Sequence, residues 1–245
     1  MKYFLVLLML AVILVSCQKE ITGFSSNGPT TPTLPPKKCT GCSYLPVCDS
    51  TKLTYVDSTA AGLDTTMNTL AVLGDTTING KKFNRISPFA AFKQGLLYNC
   101  DGGNYTVYQP VPNLGMNLDS LFQSLGLPGG ITLPSRIQTT ILKTAVAAGS
   151  KWSDTVMQFT VLGPLKATVK IDYTLQEKGV QRTVLGTTYS NVIHVSSKLN
   201  IAIPLLPVIL PFDVSVYTWY ADGVGIIENR TVNNGVTQSV TKLVK

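Results

Sequence analysis

Five cysteines and a single histidine are the side chains of this 245-residue chain best suited to covalent, redox or acid-base chemistry. Four of the cysteines are Cys39, Cys42, Cys48 and Cys100, the first three inside Lys38-Cys39-Thr40-Gly41-Cys42-Ser43-Tyr44-Leu45-Pro46-Val47-Cys48. Such a group could bind zinc as a four-thiolate site, act as a redox Cys-x-x-Cys, or form two disulfides. A thioredoxin-type motif opens a helix, and Pro46 with its turn-rich flanks offers none. A c-type haem needs His directly after the second cysteine, where Ser43 stands. An even cysteine count in an exported chain favours disulfides and disfavours zinc, because that compartment is oxidising. Three connectivities are open, and Cys100 pairing into the Cys39–Cys48 loop is preferred. The histidine, His194, lies in Tyr189-Ser190-Asn191-Val192-Ile193-His194-Val195, on the strand face opposite Ile193 and Val195, and is expected on the wet face of its strand. A Ser-His-acid triad would have to use it, but no Gly-x-Ser-x-Gly elbow occurs and no acid is placed beside it by spacing. The chain therefore reads as non-enzymatic. Asp222-Gly223-Val224-Gly225 lacks the third glycine and following helix of a dinucleotide loop, and Asp101-Gly102-Gly103-Asn104 has too few spaced oxygens for an EF-type calcium loop. Both read as β-turns, and no cofactor or metal is expected.

The fifth cysteine, Cys17, sets the compartment. Met1 to Val15 has a basic start at Lys2 and an apolar run from Phe4 to Val15, the length of a secretory h-region and too short to span a bilayer. Leu14-Val15-Ser16-Cys17 resembles the bacterial lipobox, in which the cysteine is acylated with chains such as palmitate and becomes the first residue after cleavage. Residues 1–16 are then a signal peptide and 17–38 a lipidated tether. Ser25-Ser26-Asn27-Gly28-Pro29 and Thr30-Thr31-Pro32-Thr33-Leu34-Pro35-Pro36 are too proline-rich and too weakly apolar to fold. Residues 39–245 are read as one β-rich domain.

Composition narrows the partners. The formal charge is +7, yet Lys37-Lys38 and Lys81-Lys82 are the only adjacent basic pairs and neither sits among stacking aromatics. A nucleic-acid partner is therefore not expected. Charged residues make up only 13% of the chain, which favours β-structure over long solvated helices.

The elements that must position these groups are strands. From Lys166 to Gln176, apolar Ala167, Val169, Ile171, Tyr173 and Leu175 alternate with polar neighbours, which is strict period two. Met157, Phe159 and Val161 alternate likewise, as do Val214 and Val216 ahead of Tyr217, Trp219 and Tyr220. Asn79-Gly80 and Asn234-Gly235 supply the positive φ pair of a type I′ hairpin. Glu177-Lys178-Gly179 is expected to turn the chain back toward Thr183-Val184-Leu185, and Ile137 to Ala148 is read as a strand. Leu118, Leu121, Phe122 and Leu125 fall at helical spacing between a capping Asn117 and Gly126, which predicts one short helix. The fold class expected is all-β with a minor helix: a single curved antiparallel meander sheet, half-barrel-like.

Two apolar stretches interrupted by proline stand apart. Ile201 to Phe212 has no charged side chain and three prolines, and Leu125 to Pro134 is a second loop of similar kind. Flanking one opening, they would make an apolar ligand site from Leu125, Leu127, Ile131, Leu133, Ile203, Leu205, Leu206, Val208, Ile209, Leu210 and Phe212.

Leu14-Val15-Ser16-Cys17-Gln18-Lys19-Glu20, the Cys-x-x-Cys cluster, Gly149-Ser150-Lys151-Trp152-Ser153-Asp154, Tyr189-Ser190-Asn191-Val192-Ile193 and Trp219-Tyr220-Ala221-Asp222-Gly223-Val224-Gly225-Ile226-Ile227 together resemble uncharacterised envelope lipoproteins of Bacteroidota. That resemblance implies a curved β-domain held at the cell envelope through the Cys17 lipid, in the outer membrane with its periplasmic or surface face open. Its partners would be the membrane and either a bound lipid or another envelope protein, the latter making it a structural or adaptor module.

Overall fold

The computed structural model describes residues 42–46, 52–59, 62, 67–88, 94–110, 134–162, 165–202 and 213–244. The signal segment, the tether with Cys17, Cys39 and Cys48, the helix expected over 117–126, and the apolar candidates at 125–133 and 203–212 lie outside them.

The described elements are all strands, and every pairing is antiparallel, as the alternation implies. Strands β3 (Val72–Ile78), β4 (Lys81–Ile86), β5 (Leu96–Asp101), β6 (Asn104–Pro110) and β7 (Arg136–Lys143) form one five-stranded meander in that order. Strands β8 (Lys151–Leu162), β9 (Leu165–Val184), β10 (Thr187–Ala202), β11 (Val214–Ala221), β12 (Gly225–Asn233) and β13 (Val236–Val244) form a second meander. It is extended at its far edge by β1 (Leu53–Thr59), which pairs with β13, and by β2 (Met67–Leu70), which pairs with β1.

The expectation of a single sheet thus gives way to two, and the break between β7 and β8 has a specific cause. The Thr140 amide donates to Asp154 Oδ2 at 2.6 Å, and the Trp152 indole donates to the Thr140 carbonyl at 2.6 Å. Side chains of β8 occupy the positions on β7 that a neighbouring backbone would need, so the ladder stops there.

Turn chemistry explains most of the connections. Asn79 and Gly80 have φ of 49° and 76°, and Asn234 and Gly235 have 48° and 78°, both closing two-residue hairpins as expected. Glu177-Lys178-Gly179 does not turn the chain. Gly179, at φ 75°, is the extra residue of a bulge, with Val192 facing Val180 and Ile193 facing Lys178, and β9 runs on to Val184. The reversal comes at Leu185-Gly186, with φ of 46° and 79°.

Ala167, Val169, Ile171, Tyr173 and Leu175 are all buried, on the face that also carries Val195, Tyr220 and Tyr55. Buried tyrosines stand among the aliphatic residues of this core with their polar tips bonded: Tyr55 donates to the Ile226 carbonyl at 2.9 Å and Tyr98 to the Leu45 carbonyl at 3.1 Å. Burial holds both phenols well above the ordinary tyrosine pKa, so they remain donors.

Residues 42–46 tie the two sheets together. Cys42 is disulfide-bonded to Cys100 at the end of β5, the Leu45 carbonyl holds Tyr98 of β5, and the Ser43 carbonyl accepts from the Gly223 amide at 2.8 Å, in the β11–β12 turn.

Candidate functional site

The face of the eight-stranded sheet opposite Val195 and Thr218 carries a grouping of charged, hydroxylated and aromatic side chains. Cross-strand register sets it out in three rows. Glu177, His194, Trp219, Glu228 and Lys242 are successive partners from β9 to β13. Two residues along, Lys151, Thr174, Ser196, Tyr217 and Arg230 line up from β8 to β12. Two further, Ser153, Asp172, Lys198 and Ser215 do the same from β8 to β11.

The first row is a closed clamp around an indole. Trp219 is only 6% exposed although its register with His194 sets it on the strand face opposite Val195 and Thr218. The Arg182 guanidinium carbon sits 3.8 Å from a Trp219 ring centroid, that of Arg230 sits 5.5 Å away, and the His194 ring stacks on Trp219 at 4.3 Å and 12°. Both arginines converge on Glu228, itself 3% exposed: Arg182 reaches Oε2 through Nη2 at 2.8 Å and Nε at 3.1 Å, and Arg230 Nη2 reaches Oε1 at 2.9 Å. Arg182 forks onto one oxygen of the carboxylate and Arg230 meets the other, so each oxygen has a charged donor.

His194 lies opposite Ile193 and Val195 as its strand position implies, but the wet environment expected for it is wrong, since its side chain is 14% exposed. Trp219 and Tyr217 cover it. Its Nδ1 is 3.3 Å from Glu177 Oε2, and its Nε2 is buried with no hydrogen-bond partner. Burial lowers its pKa below the ordinary 6.5, Arg182 and Arg230 push the same way, and Glu177 opposes them. The unfolded chain therefore binds the proton more readily than the folded one. Stability from the neutral ring is present above about pH 6.5 and is lost as pH falls toward the folded pKa. With one histidine in the sequence, the comparison is clean: the urea midpoint should drop between pH 7.5 and 5.5 more steeply than that of a His194→Gln variant. Parallel curves would contradict the assignment.

The second and third rows border an open groove of about 600 Å³ that includes Lys151, Ser153, Thr174, Ser196, Lys198, Ser215 and Tyr217 in its lining. Gln176 Nε2 donates to Ser196 Oγ at 2.7 Å, Asn200 Nδ2 to Asp172 Oδ2 at 3.2 Å, and Lys198 Nζ pairs with Asp213 at 2.9 Å.

Of the residues singled out by sequence, the structure joins Cys42 to Cys100, within the preferred pairing of Cys100 into the Cys39–Cys48 loop. Cys17, Cys39, Cys48 and the apolar candidates from Leu125 to Phe212 lie outside the described residues. Among the described residues no group of three or more His, Cys, Asp or Glu is placed to hold a metal ion. Sequence reasoning missed the clamp. The alternation through Tyr217 and Trp219 was the available signal, but Arg182 reaches Glu228 across β10 and β11, and no local spacing encodes that reach.

No protein-family model matches the chain, and no curated protein matches it. Two solved structures are similar. One is a candidate exported protein with a YmcC-like fold from Bacteroides fragilis, at 14% identity and a TM-score of 0.43, covering 82% of this chain and 97% of that one. The other is a candidate lipoprotein from Parabacteroides distasonis, at 14% identity and a TM-score of 0.41, covering 83% and 98%.

Proposed function

We propose that this chain is a lipid-anchored protein of the cell envelope whose β-domain is a non-catalytic binding module, tethered to the outer membrane by acylated Cys17. The observation that carries the reading is Leu14-Val15-Ser16-Cys17 after its apolar run, followed by a proline-rich spacer. The Cys42–Cys100 disulfide supports it, because such bonds persist in the oxidising compartments that lie beyond the cytoplasm.

A non-catalytic role is supported by the state of the titratable groups. Glu228 is saturated by two arginines, and the His194 Nε2 that would have to serve a nucleophile is buried under rings with no hydroxyl bonded to it. The described core is packed with the protein's own aliphatic side chains and tyrosines, which favours a module that binds through a surface over one that encloses a lipid. An apolar ligand held between the 125–134 and 201–212 loops, the first reading of the sequence, is the alternative.

Metabolic labelling with a palmitate analogue and membrane fractionation test the anchor. The wild type should label and sediment with outer membranes, and Cys17→Ser should do neither. A Cys17→Ser protein that still labels and fractionates with the membrane would refute the anchor.

A further inference from the structure

The groove bordered by the second and third rows differs from the clamp beside it in one respect: its groups are short, hydroxylated and open to solvent. Its lining includes Thr174 and Ser196, cross-strand partners in the second row, and Ser153 and Ser215 in the third, with Lys151, Lys198 and Tyr217 around them. In the second row the concavity follows from side-chain length, since Thr174 and Ser196 sit between the longer Lys151 and Tyr217 on a continuous ladder. β9 and β10 are interior strands, so their backbone groups are committed to neighbours on both sides and recognition here runs through side chains.

Charge then narrows the ligand. Lys151 and Lys198 are balanced by Asp172 and by Asp213, which already pairs with Lys198. Among the described residues of the groove there is no surplus cation for a phosphate chain, so a nucleic acid is a poor fit. Among the described residues no aliphatic side chain lines the groove, so an acyl chain would meet hydroxyls, an amide, charges and ring faces there. β9 and β10, at the centre of the groove, also offer no free edge for strand addition of a peptide. What matches is a ligand with a rim of hydroxyls that both donate and accept, and an apolar C–H face for the Tyr217 ring.

We propose that this groove is a binding site for a neutral oligosaccharide, with Tyr217 as the stacking platform and Asp172, Thr174 and Ser196 among its hydrogen-bonding partners. This deepens the binding-module reading and rests on it.

The mature full-length protein, in a detergent without a sugar headgroup, should be applied to an array of neutral and acidic oligosaccharides. The strongest neutral member is then titrated against wild type, Tyr217→Ala and the groove-filling Ser196→Trp, with thermal melts confirming that each variant folds. Expected is binding of at least one neutral member, weakened tenfold or more by Tyr217→Ala and abolished by Ser196→Trp. Binding of no neutral member, a preference for acidic members, or affinity unchanged in both folded variants would overturn the proposal. Labelling at Cys17 separates the two readings: protein that binds sugar without being acylated overturns the anchor alone, and acylated protein that binds no neutral sugar overturns the groove alone.

Discussion

Replacing Glu228 by Gln is expected to lower the stability of the domain by about 3 kcal/mol, at the low end of what breaking a buried ion pair costs. The carboxylate is 3% exposed and accepts from both Arg182 and Arg230. Neutralising it leaves two guanidinium groups against the same indole with no counter-charge between them. The figure stays at the low end because Arg182 and Arg230 retain 26% and 40% exposure and can swing toward water. Urea unfolding with the disulfide intact measures the loss. A Glu228→Leu, Arg182→Met double variant should recover much of it, because the penalty arises from unpaired charge more than from missing attraction. By contrast, removing Lys198 from its exposed pair with Asp213 should change stability by less than about 1 kcal/mol. A Glu228→Gln variant as stable as wild type would mean that the clamp is a surface ornament.

The clamp also shows where sequence reading stops. Local signals carried the strands: the period-two run at Lys166–Gln176 buries the residues it marks, and the Asn-Gly pairs sit at positive φ. They failed where a local cue had two physical meanings. Glycine after Glu177-Lys178 can turn a chain or bulge it, and pairing with β10 past Gly179 decided for the bulge. The true reversal uses Leu185, a residue that seldom takes positive φ and so carries no turn signature. Two sheets appear where one was expected because Trp152 and Asp154 cap the β7 edge, a contact between side chain and backbone invisible to hydrophobic pattern. His194 was placed on the correct face but misjudged for wetness, because alternation gives a residue's side and says nothing of what neighbouring strands lay over it. The groove and the clamp both depend on register between strands far apart in sequence, and register is a property of the folded sheet.

Removing the Cys42–Cys100 bond is expected to have the largest effect of any change to the described domain. The two cysteines are 58 residues apart, and closing a loop of that length restricts the unfolded chain by about 4 kcal/mol in the chain-entropy account. A Cys42→Ala, Cys100→Ala variant should show that loss in its urea midpoint. The mechanism can be separated from the magnitude, because residues 42–46 have other holds on both sheets. Leu45 is buried, its carbonyl accepts from Tyr98, the Tyr44 amide donates to Tyr105 Oη at 3.1 Å, and Ser43 accepts from Gly223. If the bond acts mainly through the unfolded chain, these contacts survive and the Tyr44 and Gly223 amides stay protected from hydrogen exchange in the folded variant. If the bond instead holds the segment in place, both amides exchange quickly while the strands remain protected. Four independent contacts on five residues favour the first outcome, so the expected result is a large loss of stability with native exchange at both amides preserved. A stability loss below about 1 kcal/mol would contradict the loop-closure account. Rapid exchange at Tyr44 and Gly223 together with a full-sized loss would make the disulfide the clasp that holds residues 42–46 across the two sheets.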